Sequence, residues 1–346
     1  MISVLELTLE QLSDALAAAG QPRYRAKQVS AWVFSRGVSE PETMTNLPPA
    51  LRSELTVLDS TIAARAESSD GTLKLLVEYR DGERVECVMI PSGNRATACI
   101  STQAGCAMGC RFCASGAGGL RRQLTGGEIL QQVLHLGQQA DRKITNVVFM
   151  GMGEPLANYA ATIFAVRALI DPQRFALSAR HITVSTIGLP GQIRKLAAED
   201  LPITLAISLH APNDTLRTQI MPATKRWPLE KVLAAAEVFY QARRREITLE
   251  YVLLAGVNDT NVCAEGLAKI ARRLRCNVNL IRYNPTGSGE FAPPSLNALR
   301  QFAQRLERRG INVNIRRSRG ADADAACGQL RLRKQDGGPD VAQDQE

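Results

Sequence analysis

From Ala96 onward the chain alternates apolar, strand-like runs with helix-like stretches, and this alternation limits the possible folds more than any other feature. The runs are TACIST, ITNVVFM, HITVST, ITLAISL, ITLEYVLL and NVNLIRY, with INVNIR as a candidate for a last one. Between them lie stretches such as GGEILQQVLHLGQQA, PLEKVLAAAEVFYQARR and SLNALRQFAQRLERR. Repeated strand–helix alternation predicts an α/β fold with parallel strands, most simply a barrel or partial barrel. An apolar fraction of 45% in 346 residues is ample for a large core and leaves no compositional case for disorder.

The chain before the barrel reads differently. LTLEQLSDALAAAG and YRAKQVSAWVFSRG are amphipathic helical segments closed by Gly20 and Gly37. TLKLLVEYR and RVECVMI flank Asp81-Gly82, a hairpin signal. The expected organisation is a small N-terminal helical domain over 1–60, a connecting β-hairpin over 61–94, the barrel over 95–330 and a flexible polar tail over 331–346. Within RVECVMI the strand period puts Glu86 and Cys87 on opposite faces, so one of them is expected to look away from the core.

Lys+Arg is 42 against 34 for Asp+Glu, a net charge of +8. Only eight of those cations are Lys, and Arg stands in clusters at Arg121-Arg122, Arg243 to Arg245, Arg272-Arg273 with Arg275, and Arg316-Arg317 with Arg319. The planar guanidinium suits phosphates and base stacking, which makes an RNA partner plausible. For the clusters at 243–245 and 272–275 the plainer reading is a solvated helix C-terminus, where cations complement the dipole. Eight cysteines in a chain this long are too sparse for a disulfide scaffold and point to a reduced compartment, the cytoplasm. The start, MISVLELTLEQL, has neither a basic nor an apolar leader region, so no secretory signal is expected. No run approaches the roughly 18 apolar residues of a membrane-spanning helix, so no membrane partner is expected either.

Active-site groups of β/α barrels sit at the C-terminal ends of strands. The unusual residues of this chain fall there. GCAMGCRFC follows TACIST, GMGEP follows ITNVVFM, Ser185 lies within HITVST, SLHAPN follows ITLAI, and Asn284-Pro285 follows NLIRY. Cys106, Cys110 and Cys113 form C-x3-C-x2-C in a glycine-bearing loop. Thiolates are soft ligands for iron–sulfur clusters or zinc. Structural zinc wants four protein ligands, and the nearest histidine to these three cysteines is His135. Three thiolates on a four-iron cluster leave one iron open to a substrate.

This spacing, with Phe112 before the last cysteine, resembles the radical S-adenosylmethionine (SAM) superfamily. The resemblance implies one [4Fe-4S] cluster per chain held by Cys106, Cys110 and Cys113, SAM as cofactor, and a partial (β/α)6 barrel. GMGEP resembles the superfamily's turn for the SAM amino group. Glycine there lets backbone approach a ligand, and Glu154 offers a carboxylate to an ammonium. RATAC, GMGEPLAN, SLHAPN and above all DADAACGQL resemble the RlmN/Cfr family, which methylates an adenine in 23S ribosomal RNA. The match runs from YRAKQV to about Leu330, with the motifs in the expected order.

That resemblance implies roles residue by residue. Cys327 becomes S-methylated and carries the methyl group, Cys99 is the partner thiol that resolves the RNA adduct, and Glu86 is a proton acceptor. Gly153, Glu154, Ser185, Ser208, Leu209, His210 and Asn284 take SAM-binding positions, Leu209 through its backbone. The N-terminal domain would bind RNA, tRNA with an adenine beside the anticodon would be a further substrate, an electron donor such as flavodoxin would serve the cluster, and the chain would act as a monomer.

The chemistry explains these residue types. C2 of adenine is not nucleophilic enough to attack a sulfonium, so the methyl must arrive as a radical. Cys327 first takes a methyl as a thiolate nucleophile. The adduct later formed with RNA is released when Cys99 attacks the Cys327 sulfur, leaving a disulfide to be reduced. Plainer readings stand beside these. Cys87, Cys263 and Cys276 read as small buried hydrophobes, Glu86 as a solvent-facing strand residue, and His210 as a satisfied core histidine. FALS, STIG and NLIRYNPT resemble the family branch acting at C8, whereas GMGEP and SLHAP resemble the C2 branch, which is favoured here. A non-catalytic iron–sulfur RNA-binding protein would need neither Cys327 nor GMGEP. A radical-SAM activase of another protein finds no support in the Arg-rich composition.

Overall fold

The computed structural model describes residues 1–330 except Asp141, Ser288 and Arg317. The tail expected over 331–346 lies outside the described residues. One ten-stranded sheet organises the chain. Its strands are β1 (Thr61–Glu67), β2 (Leu73–Glu78), β3 (Arg84–Ser92), β4 (Arg95–Cys99) and β5 (Asn146–Phe149). They continue as β6 (Ile182–Thr186), β7 (Thr204–Ser208), β8 (Ile247–Leu253), β9 (Asn277–Arg282) and β10 (Val313–Arg316). Their order in space is their order in the chain.

From β4 to β10 every neighbouring pair is parallel, as the strand–helix alternation requires. The two edges, β1 and β10, do not pair, so the barrel stays open and partial. It still curls around an interior, because Arg316 Nη1 at the end of β10 reaches the Met150 sulfur beyond β5 at 3.6 Å. The helices packing outside include α3 (Gly126–Gln139), α4 (Tyr159–Ile170), α5 (Pro190–Ala198), α6 (Leu229–Arg243), α7 (Asn261–Leu274) and α8 (Leu296–Glu307), which follow α1 (Leu9–Ala18) and α2 (Arg25–Ser30) of the N-terminal segment. Capping boxes start α1 at Thr8 and α3 at Thr125.

The hairpin at Asp81-Gly82 forms between β2 and β3, but it does not stand apart from the barrel. β1, β2 and β3 add antiparallel strands to the β4 edge, so the sheet runs on without a break. The apolar side chains of α1 and α2, such as Leu12, Leu16 and Val29, join the same buried core as the barrel strands. Ser60 and Asp59 tie the segment before β1 to α3 through Gln131 and His135.

This continuity corrects one expectation. Glu86 and Cys87 point to opposite faces of β3, yet both are buried, at 1% and 0% exposure. α3 covers one face of β3, and the barrel interior lies on the other. A strand with neighbours on both edges and layers on both faces has no solvent side, so the plain surface reading of Glu86 fails.

Candidate active site

The C-terminal ends of the parallel strands and the loops after them enclose a cavity of about 530 Å³. Cys99, Cys106, Cys110, Cys113 and Cys327 all line it. So do Gly153, Glu154, Ser185, Ser208, His210 and Asn284. Of the residues expected at the site, Glu86 and Leu209 stand outside this wall.

The three-cysteine loop is pinned at its base by a short strand pair, Gln103–Gly105 with Leu120–Gln123. Cys106 N–H donates to Gly119 O at 2.8 Å, and Arg111 N–H ties the outer side to Ile220 O at 3.0 Å. Burial pushes the Cys106 thiol up to about 12, and Cys110 rises by burial and then by the neighbouring Cys113 and Cys106. Among the described residues no three His, Cys, Asp or Glu side chains converge as a single metal ion would need. The three thiols nevertheless face one volume. A set of three soft donors spread around a shared space fits a polynuclear iron–sulfur cluster better than one zinc ion.

The turn after β5 shows why it carries glycines. Gly153 has φ 102°, and a Cβ there would stand 2.6 Å from Gln103 Cβ. Gln103 Oε1 in turn accepts from Glu154 N–H at 2.7 Å. Glu154 Oε1 accepts from Leu156 N–H at 3.0 Å and Oε2 from Ile187 N–H at 2.8 Å. Burial pushes this carboxyl up to about 7, against the pull of those hydrogen bonds and of the Thr186 hydroxyl. Glu154 thus fastens the β5 turn to the end of β6 while it borders the cavity.

The loop carrying Cys327 is docked on the cluster loop. Ala114 N–H donates to Gly328 O at 2.8 Å, and Ser115 Oγ–H donates to Leu330 O at 2.5 Å. Asn284 Nδ2 donates to Cys327 O at 3.1 Å, and Asn284 Oδ1 accepts from Ser318 Oγ at 2.8 Å. Asn284 therefore lines the cavity as expected, but its amide is also a clamp on the Cys327 backbone.

Cys99, from the end of β4, shares the cavity with Cys327, from the loop after β10. Burial and then the Cys327 thiol push Cys99 up to about 12, and Arg316 opposes them. Cys327 is raised by burial too, with Arg316 again opposing. Solvent reaches Cys327 along the open side of the cavity, while the surrounding walls desolvate its sulfur. A nucleophilic thiol must be a thiolate, and the cation placed to favour one here is Arg316, whose Nη1 lies 3.3 Å from Glu250 Oε2. Sequence reasoning placed Arg316 in a basic cluster suited to RNA and missed Glu250. The signal for Glu250 was a lone carboxylate inside the apolar run ITLEYVLL.

Ser185 and Ser208 end adjacent strands with their hydroxyls 3.3 Å apart. His210 sits just beyond, at φ 56°, with Nδ1 accepting from Val252 N–H at 3.0 Å. Burial, then Arg217, lowers its pKa to about 3, so the ring is neutral and carries its proton on Nε2. It packs edge-on against Phe112 of the cluster loop, with centroids 4.9 Å apart. His210 is thus both a satisfied histidine and a cavity residue. Leu209 corrects an expectation. Its side chain is fully buried in the core, its N–H donates to Glu250 O at 3.1 Å, and its carbonyl accepts from Arg217 Nε at 3.3 Å. Both its backbone groups are thus engaged within the fold and it does not line the cavity, so a SAM contact through its backbone has no support.

Glu86 lies beside the cavity wall rather than in it. Lys74 and Cys99 both pair with Val88, so strand alternation puts Lys74, Glu86 and Cys99 on one face of the sheet. Lys74 Nζ is 3.2 Å from Glu86 Oε1, with the two side chains 4% and 1% exposed. Removing one partner of such a buried pair costs roughly 3–5 kcal/mol.

The arginine clusters divide. Arg122 pairs with Asp81 and Glu128 and lies over the Tyr79 ring, so it anchors the hairpin rather than offering itself to RNA. Arg121 pairs with Glu83. Arg243 and Arg273 sit in the last turns of α6 and α7, as expected, and pair with Asp200 and with Glu230 and Glu237. At the cavity rim stand Arg95, which is exposed, and Arg319, 3.9 Å from Asp70.

Comparison with known proteins agrees with this arrangement. Residues 2–59 match the ribosomal RNA large subunit methyltransferase N-terminal domain, and residues 100–264 match the radical SAM superfamily. A probable dual-specificity RNA methyltransferase RlmN of Rhodopirellula baltica is 45% identical, over 95% of this chain and 90% of that protein. A probable dual-specificity RNA methyltransferase RlmN of Thermosynechococcus vestitus is also 45% identical, over 93% of this chain and 96% of that protein. The crystal structure of a radical SAM methyltransferase from Sphaerobacter thermophilus superposes with a TM-score of 0.92 at 43% identity, covering 96% of this chain and 99% of that one. The cofactors that go with this membership are a [4Fe-4S] cluster and SAM, in keeping with the three thiols that face the cavity. Cavity, motifs and relatives converge: the chain belongs to the RlmN family of radical SAM RNA methyltransferases.

Proposed function

We propose that this chain methylates C2 of an adenine in 23S ribosomal RNA, and C2 of the adenine beside the anticodon in tRNA, through an S-methylated Cys327. The observation that carries this reading is that one cavity holds the three cluster thiols together with Cys99, at the end of the first parallel strand, and Cys327, in the loop after the last. Cys327 as a thiolate attacks the methyl carbon of SAM, forming its S–C bond as the sulfonium S–C bond breaks and S-adenosylhomocysteine leaves. When bound, the cluster and a further SAM supply the one-electron cleavage that removes a hydrogen atom from that S-methyl group. The carbon radical held on Cys327 adds to C2 of the adenine, pairing with one electron of the ring π bond to form the C–C bond that links chain to RNA. The one electron left over on the adduct returns to the bound cluster. Glu86 accepts a proton from the adduct. Cys99 then attacks the Cys327 sulfur, a Cys99–Cys327 disulfide forms, the methylated RNA leaves, and a reductant restores the thiols. Gly153, Glu154, Ser185, Ser208 and His210 border the space for SAM.

An adenine inside folded RNA cannot reach a cavity of this kind, so the base must be flipped out of its stack. Arg95 and Arg319 at the rim suit the flanking phosphates. Binding to an rRNA fragment should therefore weaken steeply with salt, and Arg95→Glu with Arg319→Glu should lower the slope of log K against log salt by about 1–2 through lost counterion release. Charge reversal at Arg121 should do much less, and a salt-independent affinity would sink the electrostatic part of the reading. We place the activity in the cytoplasm, with a flavodoxin-like electron donor. No described helix is long and apolar enough to cross a membrane.

Mass spectrometry of nucleosides from RNA treated with the reconstituted protein tests the position. We expect 2-methyladenosine from both rRNA and tRNA. 8-Methyladenosine would move the reaction to the other ring carbon, and unmethylated RNA would remove the activity.

A further inference from the structure

We propose that Lys74 is a positioning residue of this reaction, holding the Glu86 carboxylate and the Cys327 loop in fixed register across the sheet. The inference rests on Glu86 being the proton acceptor and assigns the group that places it. Lys74 is the one cation in LKLLVE, where its neighbours Leu73, Leu75, Leu76 and Val77 are buried apolar side chains. A buried ammonium is costly unless its charge and its donors are met. Here they are met by two different elements. Nζ lies 3.2 Å from Glu86 Oε1 on β3 and donates to Asp324 O at 3.0 Å, in the loop that continues to Cys327. An ammonium has three donors, so one Lys can serve carboxylate and carbonyl at once.

The two sides of the Cys327 loop are thereby held independently. Ala114 and Asn284 fasten Gly328 and Cys327 from the cluster side. Lys74 fastens Asp324 from the side of Glu86. Cys99 shares the face of Lys74 and Glu86 on the far side of β3. In the step concerned, a C–H bond of the adduct on Cys327 breaks, its electron pair stays with the adduct, and the proton forms an O–H bond on Glu86. The proton transfer itself moves no electron, and the one electron left over from the radical addition passes back to the cluster that supplied it, so no further reactant is needed. Lys74 does not line the cavity, and it acts through what it holds.

The test uses the full-length protein with its cluster, as Lys74→Met, Lys74→Gln, Lys74→Arg and Glu86→Gln. Two readouts are followed: methylation of Cys327 by intact-protein mass spectrometry, and the covalent RNA adduct as an RNase-sensitive shifted band. Lys74→Met should methylate Cys327 within about threefold of the unchanged protein and clear the adduct at least about tenfold more slowly, the scale of a small misplacement of reacting groups. Lys74→Gln should behave alike, and it carries the test if Lys74→Met does not fold. Lys74→Arg should restore clearance to within about threefold. A merely structural pair would slow both readouts together, and that result overturns the proposal, as does normal clearance in Lys74→Met and Lys74→Gln or failure of Lys74→Arg to rescue. Normal clearance in Glu86→Gln would instead overturn the role of Glu86 itself, so the two failures are told apart.

Discussion

Cys99→Ala will stall the protein on its RNA. Cys327 lines the cavity beside the cluster loop and needs nothing from Cys99 to take its first methyl, so the variant should still methylate Cys327 and form the bond to adenine. Release alone requires attack by the Cys99 thiolate. The stalled species should resist denaturant, run as a shifted band and disappear with RNase. Cys327→Ala should show the opposite pattern, with no methylated protein, no adduct and no methylated RNA. Multiple turnover should fall by roughly 10⁴-fold or more in each variant, the scale of losing a nucleophile that acts within a concerted set of groups. The placement of Cys99 in the shared cavity, with Arg316 as the cation that opposes burial at both sulfurs, is the reason for expecting one thiol to meet the other. A Cys99→Ala protein that turns over normally and leaves no adduct would remove Cys99 from the reaction.

Cys106→Ala should abolish a different step with an effect as large. Anaerobic reconstitution of the unchanged chain should bring about four irons per chain, the content of one cluster. With Cys106 gone, two thiols remain on the cluster loop, Cys110 and Cys113, and both iron content and reductive SAM cleavage should fall to background. Cys263→Ala and Cys276→Ala make the control, because these cysteines are buried away from the cavity and should leave the iron content intact. RNA binding should survive in Cys106→Ala, since the rim arginines do not depend on the cluster loop. Reductive SAM cleavage by a chain lacking Cys106, Cys110 and Cys113 together would break the assignment of the cluster.

Much of the site was readable because its residues obey local rules. A thiol spacing of C-x3-C-x2-C is set by the covalent chain, and the glycines of GMGEP announce a backbone too close to a neighbour for a Cβ, as Gly153 against Gln103 shows. Residues just after apolar runs could be assigned to one end of a barrel before any contact was known. Two other residues were misjudged because their partners lie on other elements of the fold. Arg122 stood in an apparent basic patch, yet its guanidinium is taken by Asp81 and Glu128. Leu209 was expected to offer its backbone to SAM, but its N–H and carbonyl are taken by Glu250 O and Arg217 Nε.

The sequence by itself determined the element types, the parallel barrel, the end of the barrel that carries the chemistry, and the three closely spaced cysteines there. Periodicity and chain spacing encode all of these, and both are local quantities. Only the tertiary structure decided which charged groups meet. Lys74 reaches Glu86 because β2 and β3 pair in one register, and Asp324 because the last loop folds back over that edge. Arg316 comes beside Cys99 because the open sheet curls until β10 overlooks β4 and β5. A lone Lys or Glu in an apolar strand says only that a buried charge needs a partner. The partner is chosen by strand register and sheet curvature, which arise from the packing of the whole chain.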